Sequence, residues 1–311
     1  MTGELITRQA VEALFPPRDP ESHKGSYGRL LAAVGSDGMP GAALLCGEAA
    51  LRCGVGLLTV ATPRSVYPIL AAALPEATYL PLEGDGSDAQ PLHAAQNAAT
   101  AVVLGCGLGR SAEAEALVWE LLTCGTAPLI LDADGINAVS LHIDRLKTVR
   151  RPLVLTPHPG EMARLTGLSG AEIQSRRGAV AQGFAEEYGV TLVLKGHGTL
   201  IAAPGAPLLH NPTGNPGMAT GGSGDVLAGM IGSFLAQGMA PREAAVCGVY
   251  LHGLAGDRAA ARLSQHSLLP RDLIAELGGL FSDLEKQVPP YDPTRPSDLS
   301  DPSVSLSADR L

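Results

Sequence analysis

Asn215-Pro-Gly-Met-Ala-Thr-Gly-Gly-Ser-Gly-Asp225 runs directly into Val226-Leu-Ala-Gly-Met-Ile-Gly-Ser-Phe-Leu235. In the second stretch Val226, Leu227, Met230, Ile231, Phe234 and Leu235 recur at helical spacing, which predicts a buried helix over Asp225–Gln237. Gly221, Gly222 and Gly224 stand at its entrance, where glycine lets backbone N–H groups turn inward and a ligand come close. A helix N-terminus carries about half a positive charge, so the place suits a phosphate or a developing anion. Asp225 falls in the first turn. A carboxylate beside such a site can take a proton from a hydroxyl nucleophile while the loop stabilises the transferred charge. The plainer alternative is an acidic residue at the start of a helix on a glycine turn, and the length of this segment weighs against it.

In the rest of the chain, short apolar runs alternate with longer amphipathic ones. Strands are predicted at Leu30–Val34, Leu57–Ala61, Ala101–Leu104, Leu129–Leu131, Leu153–Leu155, Thr191–Leu194 and Leu200–Ala203. Most are continuous Leu/Val/Ile/Ala runs, as expected of strands covered on both faces. Helices are predicted between them at Gly41–Arg52, Ser65–Ala73, Ala112–Cys124, Glu161–Thr166 and Ala171–Tyr188, and again at Arg242–Leu263. This alternation implies an α/β fold with a mostly parallel central sheet and helices on both sides. Residues 1–285 read as one domain, and the Pro/Ser/Asp-rich stretch 286–311 as a disordered tail.

Composition excludes several classes. With 45% hydrophobic residues in 311, the chain can bury a large core, yet aromatics make up 4%. So few rings, with a net charge of −9, argue against nucleic acid, which is bound by basic surfaces and stacking platforms. No apolar run reaches membrane-spanning length, and the first residues lack the pattern of a secretion signal. Five cysteines without a CxxC pair read as free thiols in a reducing cytoplasm. P-loop, GxGxxG, HExxH and GxSxG motifs are absent.

Four further segments carry chemistry. Lys195-Gly-His-Gly-Thr199 follows a predicted strand; Lys195 offers a cation, and Gly196 and Gly198 let amides approach a phosphate. A glycine hairpin to Leu200–Ala203 is compatible with that role, and His197 alone reads as a loop residue. Thr156-Pro-His-Pro-Gly-Glu161 lies at a strand's C-terminal end, where open α/β sheets bind ligands. There His158 can hydrogen-bond a ligand and Glu161 can hold magnesium or its water, the alternative being a capping turn. Leu131-Asp-Ala-Asp-Gly-Ile-Asn137 is a second acidic strand end, where Asp132, Asp134 and Asn137 can bind magnesium or a ligand hydroxyl, with Asp132 the candidate magnesium ligand, against helix capping by Asp134. The glycine clusters Gly105–Gly109 and Gly35–Ala43 are weaker alone; Ala42 and Ala43 offer a wall to a flat ring.

In this order the segments resemble the ribokinase-like superfamily, and within it the ADP-dependent NAD(P)H-hydrate dehydratase family. The resemblance rests on His23-Lys-Gly-Ser-Tyr-Gly28, Gly35–Ala43, Gly105–Gly109, Asp132–Asn137, Thr156–Glu161, Lys195–Thr199 and Asn215–Asp225, and covers roughly residues 20 to 280. It implies a three-layer α/β/α domain that restores hydrated NADH or NADPH at the expense of ADP, or of ATP in some members, with Mg2+. It implies Asp225 as base. Ala42 or Ala43, Gly107 or Gly109, His158 and Asp225 would line the hydrated-dinucleotide pocket. Lys195, Gly196, His197, Gly198 and Thr199, with Gly222, Ser223 and Gly224, would hold the nucleotide. It also favours a homo-oligomer, often a tetramer. The epimerase domain that precedes this one in bifunctional members is not expected here. The competing expectation is an ATP-dependent kinase of a small hydroxylated metabolite with the same loop; a nucleotide-binding regulator without catalysis is a third.

Overall fold

The computed structural model describes residues 3–15, 17–84 and 88–286, so the expectation of a disordered tail lies outside the described residues but for its first. Among the described residues ten strands form one sheet. They are β1 (Glu4–Leu5), β2 (Arg29–Ala33), β3 (Leu57–Pro63), β4 (Thr78–Leu82), β5 (Ala101–Leu104), β6 (Leu129–Leu131), β7 (Leu153–Leu155), β8 (Thr191–Leu194), β9 (Leu200–Ala202) and β10 (Leu209–His210). Their spatial order is β1-β10-β9-β8-β7-β6-β5-β2-β3-β4. All neighbours run parallel except β9, which is antiparallel to both β8 and β10. The predicted hairpin at Lys195–Thr199 is therefore present.

Each inner strand is buried on both faces, and its side chains divide by parity. Leu30, Ala32, Val103, Ile130, Val154 and Val193 face one core, with helices Pro40–Arg52, Ser223–Ala236, Pro241–Leu263 and Pro270–Glu285. Leu31, Ala33, Val102, Leu104, Leu131 and Leu155 face the other, with helices Ala112–Thr123, Ala133–Ser140, Pro159–Thr166 and Arg177–Tyr188. Period-two alternation between two apolar faces is why these runs are almost wholly apolar. The expected three layers result. Among the described residues no helix is long and apolar enough to cross a membrane.

The sheet order reverses between β5 and β2, and that reversal opens a crevice at the strands' C-terminal ends. There the loop after β2 meets the loop after β5, with Gly35 N–H donating to Cys106 C=O at 2.8 Å. The helix Ser223–Ala236 points its N-terminus into the same region. It lies unusually close to its neighbours: a Cβ at Gly229 would come within 2.1 Å of the Cys46 carbonyl, and one at Gly232 within 2.2 Å of Val103. These small residues set how far the helix end reaches.

Strand β4 is not among the expected strands; it carries Pro81 and occupies the sheet edge, where proline is tolerated. Strands β1 and β10 have two residues each, too few for a pattern. The helix expected over Ala171–Tyr188 breaks at Arg176, whose φ of −139° and ψ of 39° are not helical, into Gly170–Ser175 and Arg177–Tyr188.

Candidate active site

Gly222 caps the helix Ser223–Ala236 in the left-handed region (φ 98°), which places Asp225 in its first turn. Ser223 N–H reaches back to Thr220 C=O at 3.4 Å, and Val226 N–H closes on Gly222 C=O at 3.2 Å. Between them the amides of Gly224 and Asp225 fall in the turn that has no intrahelical acceptor. Gly224 brings other elements in: a Cβ there would lie 3.3 Å from Lys195 Nζ and 3.6 Å from Asp132 Oδ2. The ends of strands β8 and β6 thus converge on one helix end.

Lys195 is the electrostatic centre of the convergence. Its Nζ donates to Asp132 Oδ1 at 2.7 Å and lies 3.8 Å from Glu161 Oε2. Burial works against the ammonium's charge, and the Asp132 and Glu161 carboxylates outweigh it, so its pKa sits above the ordinary lysine value. Thr156 Oγ1 also donates to Asp132 Oδ1, at 2.6 Å. Asp132 is followed by Ala133 with φ 47°, a non-glycine residue in the left-handed region and therefore strained, beside the site. Burial, and then the charge of Asp132, push the Asp225 carboxyl up to about 6. Burial pushes Glu161 up to about 7.

His158 and Glu161 form the capping turn that the two prolines permit. Glu161 Oε2 accepts from His158 N–H at 2.8 Å, and His158 Nδ1 accepts from the amides of Gly160 (2.9 Å) and Glu161 (3.3 Å). Burial, with Lys195 and Arg164 nearby, keeps the imidazole below its usual pKa. Half of the His158 side chain remains exposed at 50%, so capping leaves a ring edge for a ligand. Asp134 and Asn137 are spent on the neighbouring loop: Gly109 N–H donates to Asp134 Oδ2 at 2.9 Å, and Asn137 Nδ2 donates to Asp134 Oδ1 at 3.1 Å. Ala42 and Ala43 separate. A Cβ at Gly107 (φ 60°) would sit 2.6 Å from that of half-buried Ala42, whereas Ala43 is 1% exposed and packs under Gly35.

In the hairpin, Gly196 (φ 137°) and Gly198 (φ 62°) take conformations that side chains resist, and His197 is exposed. Thr199 Oγ1 closes the turn on Gly196 C=O at 3.0 Å. Two anchors here escape sequence reasoning. Arg177 donates to the carbonyls of Leu194 (3.0 Å), Lys195 (3.2 Å) and His197 (2.7 Å), fixing the loop from below. His252, buried and held neutral by burial with its pKa lowered to about 4, binds through Nε2 to Ser223 C=O at 2.9 Å. Both act on main-chain atoms, so no side-chain spacing announces them. Cys106, in the Gly105–Gly109 loop, reads from the sequence as no more than a free thiol, yet it reaches the same centre.

The NAD(P)H-hydrate dehydratase family model matches residues 30–278. The chain belongs to the NAD(P)H-hydrate dehydratase family. The ADP-dependent (S)-NAD(P)H-hydrate dehydratase of Bacillus subtilis is 41% identical over 277 residues, covering 88% of this chain and 96% of that one. The bifunctional NAD(P)H-hydrate repair enzyme Nnr of Moorella thermoacetica is 43% identical over 292 residues, 91% of this chain and 55% of that protein. The chain thus spans about half the length of the bifunctional dehydratase relatives it matches. The crystal structure of the Bacillus subtilis ADP/ATP-dependent NAD(P)H-hydrate dehydratase with ATP and Mg2+ superposes with a TM-score of 0.81 at 37% identity, over 92% of this chain and all of that one. Hydroxyethylthiazole kinase from Pyrococcus horikoshii shares the fold alone, with a TM-score of 0.55 at 15% identity.

Proposed function

We propose that this dehydratase-family chain restores (S)-configured hydrated NADH and NADPH to NADH and NADPH, coupled to conversion of ADP to AMP and phosphate. The observation that carries the reading is the single convergence of Asp225, the Gly224 and Asp225 amides and Lys195 at the sheet's reversal point. Hydroxide is a poor leaving group and phosphate a good one. Asp225 accepts the proton of the C6 hydroxyl as that oxygen attacks the terminal phosphorus and AMP departs. The Gly222–Gly224 turn and Lys195 stabilise charge on the transferring phosphoryl group. The ring nitrogen's electron pair then expels phosphate from C6, and loss of a C5 proton restores the C5–C6 double bond.

The hairpin Lys195-Gly-His-Gly-Thr199, with Gly222, Ser223 and Gly224, holds the nucleotide in this scheme. Ala42, Gly107, Gly109 and His158 line the hydrated ring, with Ala43 behind them. Magnesium, when bound, draws off charge from the phosphate oxygens. Asp132 fits it through Oδ2, which stands outside the bonds to Lys195 and Thr156, and one carboxylate plus phosphates is an ordinary magnesium donor set. Glu161 fits it less well, because His158 and Lys195 already face both of its oxygens. Assembly into a tetramer belongs to the same proposal.

The test is incubation with hydrated NADH plus ADP or ATP, following reduced-nicotinamide absorbance and free phosphate together. Equal yields of both support the reading. A stable phosphorylated product without recovered absorbance overturns it in favour of a kinase.

A further inference from the structure

Arg177 opens the helix Arg177–Tyr188 directly after the break at Arg176. That break gives it a direction that an unbroken helix would not, beneath the hairpin between β8 and β9. Nη1 donates to His197 C=O at 2.7 Å, and Nη2 to Leu194 C=O at 3.0 Å and to Lys195 C=O at 3.2 Å. A Cβ at Gly196 would meet Nη2 at 3.1 Å, so the backbone lies directly on the guanidinium. The buried Nε has no partner among the described residues. The side chain is thus committed to the main chain of one loop.

A trans peptide is planar, and its C=O and N–H point in opposite directions. Each carbonyl drawn onto Arg177 therefore turns the following N–H away from it. After Leu194 C=O comes the Lys195 amide, which donates to Pro157 C=O at 2.9 Å and ties the hairpin to the loop after β7. After the other two come the amides of Gly196 and Gly198, which have no main-chain acceptor among the described residues. Their direction follows from the layers. Arg177–Tyr188 packs on one side of the sheet, and the helix Ser223–Ala236 with its glycine turn on the other. Amides turned from Arg177 are turned toward that glycine turn, where Gly224 approaches Lys195 Nζ.

We propose that Arg177 is a positioning residue that sets nucleotide affinity without touching the nucleotide: by holding the Lys195 and His197 carbonyls, it aims the Gly196 and Gly198 amides at a phosphate of ADP. The inference rests on the reading of this hairpin as the nucleotide site. Gly196 (φ 137°) and Gly198 (φ 62°) permit the loop its shape, and the same freedom lets its peptides turn over. The rigid, planar guanidinium fork spans three carbonyls at once and removes that freedom, which a single ammonium cannot match. Donors ordered in advance spare the ligand the cost of ordering them.

The test measures the Kd of ADP with magnesium by calorimetry, beside kcat and KM for hydrated NADH. It compares Arg177→Met, which deletes all three bonds, with Arg177→Lys, which keeps the charge without the fork; thermal melts establish folding. Arg177→Met should weaken ADP about thirtyfold, the worth of two hydrogen bonds, with KM for hydrated NADH within about threefold. Arg177→Lys should fall between, at about fivefold. Unchanged ADP affinity in Arg177→Met, or an equal rise in KM for hydrated NADH, would overturn the proposal. So would full recovery in Arg177→Lys, which would make charge rather than orientation the cause. If Arg177→Met does not fold, Arg177→Lys decides alone by the same split. Gly198→Ala separates the two levels, because it strains a φ of 62° and drives a methyl group to 2.2 Å from His210 Nε2. If that variant binds ADP unchanged, the hairpin is not the nucleotide site and that reading fails first.

Discussion

Asp225→Asn replaces an acid by its uncharged near-isostere, and the structure sets two opposite consequences. Removing the proton acceptor should lower turnover at least about a hundredfold. Stability should move the other way. Burial, with the charge of Asp132, raises this carboxyl from 3.8 to about 6. At about 1.36 kcal/mol per unit, holding it ionised costs the fold about 2–3 kcal/mol. A raised acid pKa means that the folded state binds the proton more tightly than the unfolded one. The penalty is therefore absent below about pH 4, grows from there to about pH 6, and is complete above it. The amide in the variant never carries it. The variant should melt a few degrees above the parent protein at pH 8, and the gap should close toward pH 4. Thermal melts across that range, with turnover measured beside them, check both arms. A variant that is inactive but no more stable at pH 8 would refute the electrostatic account of the site; one that stays active would refute the mechanism.

Further outcomes follow from the same geometry. Turnover should rise with pH through about 6 as Asp225 loses its proton, and Asp132→Asn should move that midpoint down by removing a neighbouring negative charge; a profile flat from about pH 5 to 8 contradicts this. Lys195→Met leaves Asp132 and Glu161 buried without their cation, so urea unfolding at pH 8 should show a loss of about 3 kcal/mol that shrinks on acidification. Equal loss at both pH values would mean that the lysine acts by packing. Gly107→Ala drives a methyl group to 2.6 Å from Ala42 in a left-handed backbone, and should raise KM for the hydrated dinucleotide about tenfold while KM for ADP holds; initial-rate kinetics with each substrate varied decide it.

The parts of this fold that are legible in the chain are those where one residue type answers to one physical demand. Uninterrupted runs such as Leu129–Leu131 and Leu153–Leu155 fit strands buried on both faces, and the Val226–Leu235 stripe fits a buried helix. The same logic locates the site segments, because glycine clusters after apolar runs mark strand ends. Illegible are the relations between segments. That Lys195 lies between Asp132 and Glu161, both far from it in sequence, depends on β6, β7 and β8 being neighbours. Nor can Ala42 be told from Ala43 until the helix Pro40–Arg52 fixes which of them faces Gly107. Arg177 and His252 bind carbonyl oxygens, which every residue has, so their roles leave no trace in spacing.

Glu161, held at a pKa of about 7 with Lys195 beside it, has a consequence for how nucleotide enters. At neutral pH this acid is close to half-titrated. An incoming phosphate recruits the ammonium's attraction and adds negative potential of its own, so the acid takes up a fraction of a proton from solution as the complex forms. Association and protonation are then one linked equilibrium. Calorimetric heats of ADP binding should accordingly differ between buffers of unlike ionisation enthalpy, and that difference should shrink in Glu161→Gln to the smaller share that Asp225 contributes.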